Sequence, residues 1–231
     1  MSLLAAAPFW NGRQLAGNWD VIWYYTLQHA RYTVFAVGFG GVLALPLAYL
    51  SVRRPATYPV LLTITNVIYA IPALALFVLL SPAFGFTNDK PIVIAMALYT
   101  LVVLVRNMVE GIRAVPEPVL RAADAMGYRP FRRFRTVELP LALPSIVAGL
   151  RLATVSTVSL ISVGAVIGRG GLGRLFADGL GRRIDVELWA GFVATVLLAA
   201  AFDLAIYAAG RAATPWARAT RRTRGARRAT A

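Results

Sequence analysis

Few residues in this chain are of types that do proton, metal or nucleophilic chemistry, and their spacing narrows the options. Asp203 is the one acid well inside the apolar run 188–209. An intramembrane carboxylate is by default a candidate proton or ion site, although a position near one end of the run also suits a plain arginine partner. His29 is the only histidine; with no second histidine or carboxylate cluster beside it, it reads as a boundary residue rather than a ligand or proton carrier. There is no cysteine, hence no thiolate metal site and no disulfide framework. Gly168-Arg169-Gly170-Gly171-Leu172-Gly173 matches GxGxxG in letters, but a dinucleotide site needs a strand before those glycines, and here an apolar helical run precedes them. They read as a tight turn on the outer side. No GxxxxGK[ST] occurs, so the chain cannot cradle ATP phosphates by that loop. No catalytic residue, metal or cofactor is expected.

The elements that must position these residues are membrane spans. Hydrophobic residues make up 58% of the chain, charged residues 15%, and the mean hydropathy is +0.65; soluble domains run nearer half apolar and a quarter charged. The net charge of +14 sits between or beyond the apolar runs rather than along one exposed stripe, which argues against nucleic acid as a partner. Five spans are expected, at about 32–52, 58–80, 91–109, 141–167 and 188–209. Gly38, Gly40 and Gly41 thin the first for close helix packing. Pro72 should kink the second, either as a gate or as a proline that neighbouring helices tolerate. Arg106 and Glu110 are spaced to pair at the end of the third. In the fourth, Ser156 and Ser159 belong to a hydroxyl-rich stretch with Thr154 and Thr157, which either bonds back to its own helix or lines a wet cavity.

Outside the spans, residues 1–31 carry several aromatics among polar residues, the composition of an interfacial segment, and lack the basic start of a signal peptide, so they are expected to stay on. Residues 211–231 hold seven arginines and no acid, which predicts a disordered basic cytosolic tail near anionic lipid.

Between the third and fourth spans lies Pro116 to Ser145, PEPVLRAADAMGYRPFRRFRTVELPLALPS. Pro116, Glu117 and Pro118 suit a helix start, and Val119, Ala122, Ala123 and Met126 recur at i, i+3, i+4 and i+7. Gly127 then stands where a left-handed cap is wanted. So short a helix needs another surface to pack on, and that surface is expected to be another protein. Arg129, Arg132, Arg133 and Arg135 follow, suited to anionic lipid at the cytosolic face.

With Ala122, Ala123, Gly127, then nine residues, Val137, and soon after Leu139 and Pro140, this stretch resembles the EAA loop of ATP-binding-cassette importer permeases. The following LALPSIVAGLR, and GRGGLG further on, resemble the osmoprotectant branch, which takes up glycine betaine, carnitine, choline or proline. The resemblance covers about 31–211 and departs from the family at Arg121, where a glutamate is usual. It implies an all-α integral membrane protein with five core transmembrane helices of the type I ABC importer permease fold. The permease domain would be 32–210, with a short cytosolic coupling helix in the loop 111–140. Val119, Ala122, Ala123, Met126, Gly127, Leu139 and Pro140 would couple to a separate ATPase subunit. A second permease subunit and an extracellular or periplasmic binding protein are the other implied partners. Pro72, Ser156, Ser159 and Asp203 are the pathway candidates. The positive-inside rule, with sixteen arginines on the loop-bearing side against seven basic residues opposite, puts the N-terminus outside and the C-terminus in the cytosol. The rival readings are a secondary transporter or channel using Asp203, and a non-transporting membrane scaffold.

Overall fold

The structure, a computed structural model, describes residues 17–85, 88–182 and 184–216. It opens with α1 (Trp19–Arg53), 35 residues long. At 1.5 Å per residue this helix runs about 52 Å, well past a hydrocarbon core of about 30 Å. The first span is therefore continuous with residues expected to form a separate interfacial segment, because no glycine or proline interrupts the chain between Trp19 and Tyr32. The rest of that expectation, over residues 1–16, lies outside the described residues.

The second span departs further from expectation. It is two helices, α2 (Thr57–Ala70) and α3 (Ala73–Phe84), bent by 94° at their junction. Pro72 does more than kink the helix, since its ring also drives the preceding residue out of the helical region. Ile71 is accordingly extended, with ψ 126°, and Pro72 becomes the residue before the next helix. The Tyr99 hydroxyl donates to the Ile71 carbonyl freed by the break.

Next come α4 (Lys90–Arg113) and the short α5 (Glu117–Ala125). The chain then re-enters helix at α6 (Pro130–Arg133), passes through a π-helical turn (Phe134–Glu138) and continues as α7 (Leu139–Ile161). The fourth span thus begins well before Leu141. A proline inside a regular helix would meet the carbonyl four residues back, and the wide turn ending just before Leu139-Pro140 relieves that clash. A 3-10 segment (Ser162–Ile167) ends this run. After the glycine turn an element not expected from the sequence appears, α8 (Gly173–Arg182), followed by α9 (Asp185–Ala213). α9 continues past Arg211, so the tail begins later than expected; residues 217–231 lie outside the described residues.

Among the described residues, four helical runs are long and apolar enough to cross a membrane: α1, α4, Pro130–Ile167 and α9, with the bent α2–α3 pair a fifth when taken as one span. α4 is the central one. It packs along α1 on one side and α7 on the other, while α9 lies on α7 and α8. One core joins Ala44, Ala48, Leu104, Val109 and Ile146, and a second joins Tyr32, Ala36, Phe77, Met96 and Ile161. Small residues set the spacing. A Cβ at Gly40 would stand 2.8 Å from the Ala97 carbonyl oxygen and the Thr100 side chain, so α1 rests directly on α4 there; Gly38, also expected to thin the helix, meets nothing within 4 Å.

The glycine turn is built into the core rather than hung outside it. Gly168, Gly170 and Gly171 all take positive φ, and a Cβ at Gly171 would stand 2.7 Å from that of His29. His29 is fully buried here and is a structural bridge. Its Nδ1 accepts the Leu172 N–H at 3.2 Å and its Nε2 lies 2.9 Å from the Val158 carbonyl oxygen, to which it donates as the neutral Nε2–H tautomer. One ring ties α1, α7 and the turn together. Replacing His29 by leucine orphans a buried donor and a buried acceptor, at about 1–3 kcal/mol for each. The expected result is a clearly lower thermal unfolding midpoint in detergent, and an unchanged midpoint would remove His29 from the fold's support.

Candidate coupling surface and pathway residues

The short helix α5 forms for reasons that are local. Pro116 is extended with ψ 132°, Pro118 occupies the first turn where no N–H is needed, and Glu117 meets the positive end of the helix. Its far end closes in a Schellman motif. Gly127 has φ +76°, the Tyr128 N–H donates to the Ala123 carbonyl at 3.2 Å, and the Gly127 N–H to that of Asp124 at 2.9 Å.

The apolar stripe divides. Val119, Ala122 and Met126 are exposed, Met126 at 68%, and so is Gly127, around which nothing lies within 4 Å of a Cβ position. Ala123 is instead buried within the chain, where α5 rests on α6 and the π-helical turn. The expectation that Ala123 shares the outward face is therefore corrected, since consecutive helical residues point about 100° apart and Ala122 takes the outward place. Leu139 and Pro140 are half-buried at the start of α7; Leu139 packs on the core, and Pro140 borders a groove with Val137 and Trp216.

What holds α5 in place is a charged clamp that periodicity did not reveal. Glu138, in the π-helical turn, is 2% exposed and receives Arg53 Nη2 at 2.8 Å and Arg133 Nε at 2.8 Å. Arg133 Nη1 also reaches both carboxylate oxygens of Asp124 in α5, at 2.6 and 2.5 Å. Arg53 additionally donates to the Pro130 carbonyl at 2.8 Å and lies over the ring of Tyr49, which meets Phe131 and Phe134 edge-on. The end of α1, the short helix and the root of α7 are thus joined through one carboxylate. Arg133, expected to face lipid, is occupied inside the protein. The available signal was compositional: Asp124 and Glu138 are the acids nearest a run of arginines.

The pathway candidates lie on separate elements. Pro72 marks the α2–α3 break, Ser156 is half-buried and Ser159 exposed on α7, and Asp203 sits on α9. Asp203 accepts two hydrogen bonds from Arg151 of α7, from Nε and Nη2, each at 2.7 Å, and Arg151 also lies over the Tyr207 ring. A bidentate guanidinium is the plain partner the sequence allowed for, and it binds two spans together. Thr154 bonds back to the Leu150 carbonyl at 2.7 Å, while the Thr157 and Thr100 hydroxyls meet at 3.1 Å between α7 and α4. The expected pair of Arg106 and Glu110 is present at 3.0 Å.

This architecture is that of a type I ABC importer permease. A chain of the MetNI methionine ABC transporter, solved in inward-facing conformations, superposes with a TM-score of 0.75 over 89% of this chain and 100% of that one, at 23% identity. Residues 36–219 match the family described as binding-protein-dependent transport system inner membrane component, and the chain belongs to that family. It is a multi-pass membrane permease. Among its relatives are OpuCD of Bacillus subtilis, the glycine betaine/carnitine/choline transport system permease protein, 34% identical over 81% of this chain and 82% of its own. OsmW of Salmonella typhimurium, the osmoprotectant import permease protein, is also 34% identical, over 77% of this chain and 85% of its own.

Proposed function

We propose that this chain is the permease subunit of an ATP-driven importer for small osmoprotectants of the glycine betaine, carnitine, choline or proline type. The observation that carries the coupling half is α5, held by a buried clamp on one side while Val119, Ala122, Met126 and the Gly127 cap stay uncovered on the other. That uncovered face docks on a separate ATPase subunit. A second permease subunit, identical or not, completes the pathway, and a binding protein delivers solute. ATP-driven closure of the ATPase moves α5 as a rigid body, and the clamp passes the motion to α1 and α7. The solute class rests on the names of the relatives. Among the described residues the spans hold no obvious cage of aromatic residues for a quaternary ammonium group, and selectivity is assigned mainly to the binding protein. Arg129, Arg132 and Arg135 of the basic island, with the tail, meet anionic lipid at the cytosolic face, while Arg133 serves the clamp.

The test is uptake of radiolabelled glycine betaine or choline into vesicles holding the permease, its ATPase and its binding protein. ATP-dependent uptake is expected; uptake driven by an ion gradient without ATP would return the function to a secondary transporter. The Arg151 pair on Asp203 counts against that rival, because the carboxylate is already neutralised by a fixed cation.

Orientation is a separate prediction. Single cysteines at Asn88 and Thr220 are expected to react with an impermeant reagent in intact cells at position 88 only, with the N-terminus outside and the C-terminus cytosolic. Labelling at 220 alone would invert the topology.

A further inference from the structure

A groove of about 680 Å³ runs between α1 and α4, lined by Phe35, Phe39 and Leu43 on one side and Val93, Ala97 and Leu98 on the other. Its walls are almost wholly apolar, and only its mouth is charged. Arg31, 62% exposed, and Lys90, also exposed, stand there. The Asp89 carboxylate between them is already engaged by Arg169 at 3.0 Å and, more loosely, by Arg31 at 3.8 Å. The mouth therefore keeps a net positive charge above an apolar trough.

Length distinguishes the occupant. From Arg31 to Leu43 the trough follows twelve residues of α1, about 18 Å, close to the depth of one leaflet rather than of a whole bilayer. A partner helix crossing the membrane would need twice that. We propose that the groove holds one anionic phospholipid, its acyl chain lying on Phe35, Phe39 and Ala97 and its phosphate between Arg31 and Lys90. Basic groups at a membrane surface favour such headgroups by roughly fivefold for each charge. Bound there, the lipid lies along the seam of α1 and α4 and passes the level at which Gly40 brings the two helices into direct contact.

Native mass spectrometry of the full-length chain in detergent, with an equimolar mixture of phosphatidylglycerol and phosphatidylcholine, tests this. Phosphatidylglycerol is expected to be retained about tenfold or more over phosphatidylcholine. Arg31→Gln with Lys90→Gln should bring the two lipids near parity, and Ala97→Phe, which fills the trough, should lose both. If Ala97→Phe does not insert, Val93→Phe fills the same trough nearer its mouth. Equal retention of both lipids by the unaltered chain, or an undiminished preference in the glutamine pair, overturns the proposal. Efficient disulfide dimers through Ile94→Cys in membranes would overturn it too, by making the groove an interface between copies.

Discussion

Gly127→Asp is expected to abolish ATP-driven uptake while leaving the permease inserted and folded. Gly127 has φ +76°, yet nothing stands within 4 Å of where a Cβ would go. Inside the chain the substitution therefore costs only the strain of a left-handed residue, about 1–2 kcal/mol. Its larger effect falls outside. A carboxylate would stand beside Met126 on the exposed surface of α5, and would have to be desolvated against the proposed ATPase partner. Arg121→Glu, which restores the family's usual residue, alters a flanking polar position and is expected to be much milder. Ala123→Glu acts by another route, since Ala123 is buried within the chain; it should unsettle α5 itself and lower thermal stability. Co-purification of the ATPase and uptake in vesicles separate these outcomes. Full transport by Gly127→Asp would mean that this helix end is not the docking surface.

Glu138→Ala is expected to produce the other large loss. Removing the single carboxylate that receives both Arg53 and Arg133 leaves two guanidinium groups facing a buried gap, and breaking a buried pair costs about 3–5 kcal/mol. Arg133 is only 19% exposed and keeps Asp124, but Arg53 loses its link to the π-helical turn. The short helix would then be held by its covalent ends, by Ala123 and by an Arg133–Asp124 pair that has lost its own anchor on Glu138. A fall in the unfolding midpoint together with loss of coupled uptake is the expected result. Glu138→Gln, which keeps an acceptor, should retain part of both. A double-mutant cycle with Arg53→Ala should show non-additive losses, as partners in one network do. Additive effects, or normal uptake by Glu138→Ala, would reduce the clamp to a local contact.

The sequence by itself determined what depends on neighbours in the chain. Hydropathy marked each apolar run, because crossing lipid demands one whatever it packs against, but not where the helices that carry those runs begin or break. Two prolines, Glu117 and Gly127 defined the short helix and its cap, since capping is satisfied within a few residues. The EAA-type spacing pointed to the permease family.

What remained to the tertiary structure was everything joining residues far apart. Glu138 meets Arg53 across 85 positions, His29 meets Leu172 across 143, and Arg151 meets Asp203 across 52; no local periodicity encodes such meetings. Ala122 and Ala123 look alike in a list of letters, and only the surface beneath α5 turned one inward and left the other free. The same holds at Pro72. A proline announces a disturbance, but how far the helix bends depends on whether a neighbour takes up the freed carbonyl, and here Tyr99 of α4 does so, accommodating a 94° break.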